Sequence, residues 1–137
     1  MMQAGKYWIG DLCYVMSDVW NEFCEITIDG HAVLSGEFAL KNGTRFATYT
    51  TAYGDGTYPA SNGADLGVDA GLIGCIRVED ITMKDPGLDL GTIVTFEQDF
   101  TTGSHNGVIN FDRFTVDTSC TDEDDVDFSD MDEEEDY

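Results

Sequence analysis

Positive charge is what this chain most lacks. Six Lys and Arg stand against 28 Asp and Glu, a net charge of −22 with His neutral, where a small soluble domain carries a magnitude of roughly 2–8. Contact with a nucleic-acid backbone needs clustered Lys and Arg, so direct nucleic-acid binding is excluded. An anionic membrane surface would repel the chain as well. No apolar run reaches the ~18 residues of a membrane-spanning helix. Met1 to Trp8 lacks the apolar stretch and cleavage site of a signal peptide, so the expected location is cytoplasmic. Proline is nearly absent, with 2 residues against 15 glycines, which suits a sheet with many tight turns.

Signatures of common chemistries are also missing. No Gly-x-x-x-x-Gly-Lys-Ser/Thr loop, dinucleotide fingerprint or Gly-x-Ser-x-Gly elbow occurs. The four cysteines, Cys13, Cys24, Cys75 and Cys120, lie far apart in the chain. They do not form the paired ligand spacing of a zinc site, and no metal or cofactor is expected. In a cytoplasmic setting they stay reduced. Cys13 is flanked by apolar residues in an acidic neighbourhood, which disfavours a thiolate, so it reads as a buried, inert thiol.

What is present is one domain's worth of chain: 137 residues, 42 % hydrophobic and 12 % aromatic, enough for a core. The charge divides it. Eleven acids and no base lie in the last twenty residues: Asp122, Glu123, Asp124, Asp125, Asp127, Asp130, Asp132, Glu133, Glu134, Glu135 and Asp136. A run of like charge repels itself and buries little, so residues 118–137 read as a disordered acidic tail. Residues 1–117 read as a β-rich globular domain.

Within that domain, alternation and turn residues predict strands at 6–9, 12–16, 25–28, 31–40, 45–51, 72–78, 92–100 and 108–117. Asn42-Gly43 between two such runs predicts a type I′ hairpin, and Asn106-Gly107 repeats the signal. One short helix is expected from Val19 to Cys24, capped by Ser17 or Asp18, with Val19, Trp20, Phe23 and Cys24 on one face. The expected architecture is mainly β (α+β): a curled antiparallel sheet or small barrel of about six to eight strands, with one helix packed on it.

Three blocks, Gly10-Asp11-Leu12-Cys13-Tyr14-Val15, Thr51-Ala52-Tyr53-Gly54-Asp55-Gly56-Thr57-Tyr58 and Val68-Asp69-Ala70-Gly71-Leu72-Ile73-Gly74-Cys75, carry a resemblance. Together they resemble small uncharacterised β-rich proteins of bacteriophages and bacteria. The likeness spans most of residues 5–117 and omits the tail. It implies a phage origin and a compact β-rich domain, and it transfers no catalytic residue.

The leading functional expectation is an acidic binding or inhibitory protein, not an enzyme. It would occupy a basic, nucleic-acid-binding surface of a host protein by nucleic-acid mimicry, an anti-defence role in the host cytoplasm. The residues expected to bind that partner are the eleven tail acids with Phe128 and Tyr137 as aromatic anchors. Two alternatives stand beside it. One is a small hydrolase or divalent-metal protein using Asp55 and Asp69, with Asp65 near them, since hard cations take oxygen ligands. The other is a phage structural or assembly component.

Overall fold

Tyr7, Trp8 and Ile9 are consecutive and all three are buried. Successive side chains of a strand point to opposite faces, so this strand must be covered on both sides. A computed structural model describes residues 1–118 except His31, Tyr53 and Asp55, and it shows how that cover is built.

The strands are β1 (Gly5–Gly10), β2 (Ile28–Asp29), β3 (Ala32–Val33), β4 (Gly36–Ala39), β5 (Arg45–Thr50), β6 (Gly56–Pro59), β7 (Asp65–Val68), β8 (Leu72–Arg77), β9 (Thr92–Phe96), β10 (Thr102–His105), β11 (Val108–Phe111) and β12 (Phe114–Asp117). The helix α1 spans Trp20–Thr27. A central sheet has the order β4-β5-β8-β1-β9, and three smaller sheets are β10-β11-β12, β2-β3 and β6-β7. Every named pairing is antiparallel. The described residues are therefore mainly β with one α-helix. The strands are more numerous and shorter than expected, and they divide among several sheets.

The central sheet separates two cores. On one face Tyr7, Ile9, Ala47, Tyr49, Ile73 and Cys75 pack against Tyr58, Leu66 and Val68 of the β6–β7 hairpin and Ile109, Phe111 and Val116 of the β10–β12 meander. On the other, Trp8, Phe46, Leu72 and Ile76 meet Leu12, Val15, Met16 and Phe23. Gly74 holds this second face close: a Cβ there would lie 2.7 Å from Leu12 Cδ1 and 2.1 Å from the Ala47 oxygen.

Several local expectations change. Residues 12–16 form a short apolar run like a buried strand, but Leu12–Tyr14 form a 3-10 turn because the Asp11 side chain accepts from Cys13 N and winds the chain there. The expected strand at 25–28 is mostly helix, since α1 runs on to Thr27. Thr27 is buried, and its hydroxyl bonds back to the Phe23 carbonyl at 2.9 Å, which satisfies it inside the helix. Tertiary packing overrides β-branched propensity there. The helix start lacks the expected side-chain cap. Asp18 accepts from Thr82 Oγ1 and Ser17 Oγ donates to Met83 Sδ, so both side chains tether a distant loop instead.

The Asn-Gly turns differ from one another. Asn106 and Gly107 have φ of 51° and 84°, as a two-residue type I′ turn requires. At 42–43 only Gly43 is left-handed, φ 94°. Gly43 N donates to the Leu40 carbonyl and Leu40 N to the Thr44 carbonyl, closing a three-residue loop. Asn42 Oδ1 accepts from Thr44 N. Ser61-Asn62-Gly63 repeats this loop bond for bond.

Candidate functional site

The three sequence blocks converge at one end of the central sheet. Asp11, which follows β1, is fully buried. Its Oδ1 accepts from Cys13 N at 3.0 Å, and its Oδ2 accepts from Asp69 N at 2.8 Å and Ala70 N at 2.6 Å. The third block joins the second where Thr51 N donates to the Gly71 carbonyl at 3.0 Å. Thr51 Oγ1 and Tyr58 Oη donate to the Gly54 carbonyl at 2.6 and 2.9 Å. A buried carboxylate is stable only when hydrogen-bonded, and here three main-chain donors serve it. Asp11 is a clamp that holds the turn after β7 to the end of β1.

Cys13 sits on this clamp and is half-buried, not buried as expected. Burial pushes its thiol up to about 12, aided by its hydrogen bond to Asp11 and the charges of Asp11 and Asp69. A nucleophilic cysteine needs the opposite shift. Burial raises the Cys75 thiol too. Cys13, Cys24 and Cys75 are all free thiols. Among the described residues no three His, Cys, Asp or Glu side chains gather as a metal site.

The surface acids are deployed differently. Of the sixteen acids in the described part, only Asp11 is buried. Among the described residues, and setting Asp117 aside, ion pairs converge on Glu37, which meets Arg45 at 3.7 Å and the Met1 ammonium at 2.5 Å. Burial opposes ionisation of Glu37, but hydrogen bonds from the ammonium and Thr102 outweigh it and lower its pKa.

One open groove of about 490 Å³ gathers several acids. Val94, Phe96 and Phe114 contribute apolar surface, and Glu97, Asp99, Asp112 and Arg113 contribute charge. Glu97 and Asp99 follow β9, and Asp112 takes φ 59° in the turn from β11 to β12. Asp99 Oδ1 is held by Ala4 N at 2.9 Å. Apolar surface beside carboxylates suits the stem and charged head of Lys or Arg. The expected strand at 108–117 concealed this site: Asp112-Arg113 divides it into β11 and β12, and that polar pair inside an alternating run was the available signal.

The thirteen residues expected to bind a partner, Asp122 through Tyr137, lie outside the described residues, as do Asp55 and Cys120. Asp65 and Asp69 are exposed, and Asp69 enters the clamp through its main chain. Thr118, the first residue assigned to the tail, is buried. Its hydroxyl donates to the Gly107 carbonyl and accepts from Ala52 N. No helix among the described residues is long and apolar enough to cross a membrane. No protein-family model, curated protein or solved structure matches the chain.

Proposed function

We propose that this protein is an acidic binding or inhibitory protein that occupies a basic, nucleic-acid-binding surface of a host protein. The observation that carries this reading is its displayed negative charge. Eleven carboxylates fall within the fifteen residues from Asp122 to Asp136, and of the sixteen acids in the described part all but Asp11 reach solvent. An extended chain advances about 3.3–3.6 Å per residue, and a DNA strand carries a phosphate about every 3.4 Å. The charge density of the segment therefore approaches that of one nucleic-acid strand. Phe128 and Tyr137 supply rings where bases would stack. The groove at Glu97, Asp99 and Asp112 offers a second place for basic side chains. The resemblance to phage proteins agrees with such a role, because a phage gains from blocking host nucleic-acid enzymes.

The test is affinity capture from a bacterial host lysate, with and without nuclease, followed by binding measurements on the captured protein. Replacing the eleven acids by Asn and Gln keeps size and removes charge. Association should slow by about tenfold to a thousandfold at low salt. Added DNA or RNA should compete with the unmodified protein. A partner that binds equally well at high salt and ignores nucleic acid would refute the reading.

A further inference from the structure

Bases are rare in this chain, yet two of the six stand together. Strand register places them: Phe46 pairs with Ile76, so one step further along β5 and β8 brings Arg45 beside Arg77. Tyr7 of β1 pairs with Arg77 on its other side. Alternation sends both arginines to one face, since Ala47 and Cys75, two residues inward on each strand, share the Tyr7 core. Like charges facing each other across strands are unfavourable, and an acidic protein has many neighbours to offer instead.

Arg77 is fixed in place. Its Nη2 donates to the Ala4 carbonyl at 2.7 Å and to Gln3 Oε1 at 3.2 Å. Gly5 makes room for it, because a Cβ there would lie 3.1 Å from Arg77 Nε. Arg45 is half-exposed, and its contact with Glu37 is long, at 3.7 Å. Both arginines line an open cavity of about 340 Å³, which Gln3, Tyr7, Asn42 and Thr44 make polar and Asp80 borders. That volume is within the range of small-ligand sites.

We propose that the Arg45–Arg77 cavity binds a small oxyanion, the phosphate or carboxylate group of a small molecule. Two arginines from paired strand positions lining one cavity offer guanidinium N–H donors that match such groups. Arg77, held by main chain, supplies a preorganised edge. Arg45 closes from the opposite strand. The negative field of the molecule opposes anions at long range but is screened beyond about 8–10 Å at ordinary salt, whereas the two forks act in direct contact. This site is independent of the acidic surface and stands or falls separately from it.

The experiment titrates the full chain with inorganic phosphate and, separately, acetate, against chloride of equal ionic strength. The readouts are melting temperature and the arginine Nε–H resonances. Phosphate stabilises many proteins nonspecifically, so each titration is repeated on Arg45→Gln and Arg45→Lys. At ten times the dissociation constant, melting should rise by about 5–6 °C. Arg45→Gln should weaken the response at least tenfold in concentration, and Arg45→Lys should restore part of it. A response confined to phosphate marks a phosphate site, and one that acetate matches marks a carboxylate site. Shifts equal to those of chloride for both anions, or an Arg45→Gln protein that titrates like the unmodified one, would overturn the proposal.

Discussion

Asp11 and Asp99 are the same residue type in opposite employment. Asp11 lies inside, and its oxygens hold three main-chain amides. Asp99 lies outside beside Glu97 and Asp112, with one amide on it. The first carboxylate exists for the fold, while the second group leaves charge available to something else. Acidity alone therefore says little about a residue's role. What decides is whether the surrounding backbone turns its donors toward the carboxylate.

The largest expected effect separates these two regions. Asp11→Ala strands three inward N–H groups and should cost about 3–5 kcal/mol of stability. Asp11→Asn keeps the shape but turns an amide donor toward at least one of them, so about 2–4 kcal/mol should be lost. Neutralising Glu97, Asp99 and Asp112 together, as Gln, Asn and Asn, should change stability by about 0.5 kcal/mol or less. Urea unfolding measures all three. If the groove variant proved as damaging as the clamp variants, the distinction between structural and displayed acids would collapse.

A second effect sharpens the clamp side. The raised Cys13 pKa means that the folded protein keeps a proton the unfolded chain gives up. The stability this contributes is complete below the ordinary thiol value of roughly 8.5. It is lost as pH rises from there through about 12, because the unfolded state then binds fewer protons. Cys13→Ala should flatten that alkaline decline. At pH 7.5 Cys13 should also alkylate about a hundredfold to a thousandfold more slowly than a small free thiol, although it is only half-buried. Site-resolved labelling by mass spectrometry reads this directly, and rapid labelling would mean the clamp opens.

The smallest effect concerns the groove in binding. Once a partner is in hand, the groove variant should slow association by about tenfold or less, below the effect of neutralising Asp122 to Asp136. Equal effects would move the interface onto the folded face.

Much of the fold was legible in the residues. The β-rich class, the helix around Trp20 and Phe23, the β4–β5 hairpin and β8 all follow from short-range patterns of polarity and turn residues. The misread segments have identifiable causes. Leu12 to Met16 is an apolar run of strand length, but Asp11 caps it into a turn. Glu25 to Thr27 has a strand former's composition, yet Thr27 satisfies its hydroxyl within the helix and buries its side against the core. Residues 102–105, expected as connection, form β10 because β11 offers them a ladder. The ladder partner of β10 and the core that Thr27 faces lie outside the local window, whereas the Asp11 cap and the Thr27 bond to Phe23 are local side-chain contacts that a polarity pattern does not register.

Composition and order along the chain determine the net charge, its concentration after Thr118, the scarcity of basic residues and the preference for strands, because these depend on each residue singly or on near neighbours. Only the tertiary structure decided that Asp11 would close on Asp69 and Ala70, that Glu97, Asp99 and Asp112 would share a groove, and that Arg45 and Arg77 would stand side by side. Those encounters join residues 13 to 59 positions apart, and they follow from strand order and register. Register is set by which side chains the two cores bury, and that is a property of the whole domain.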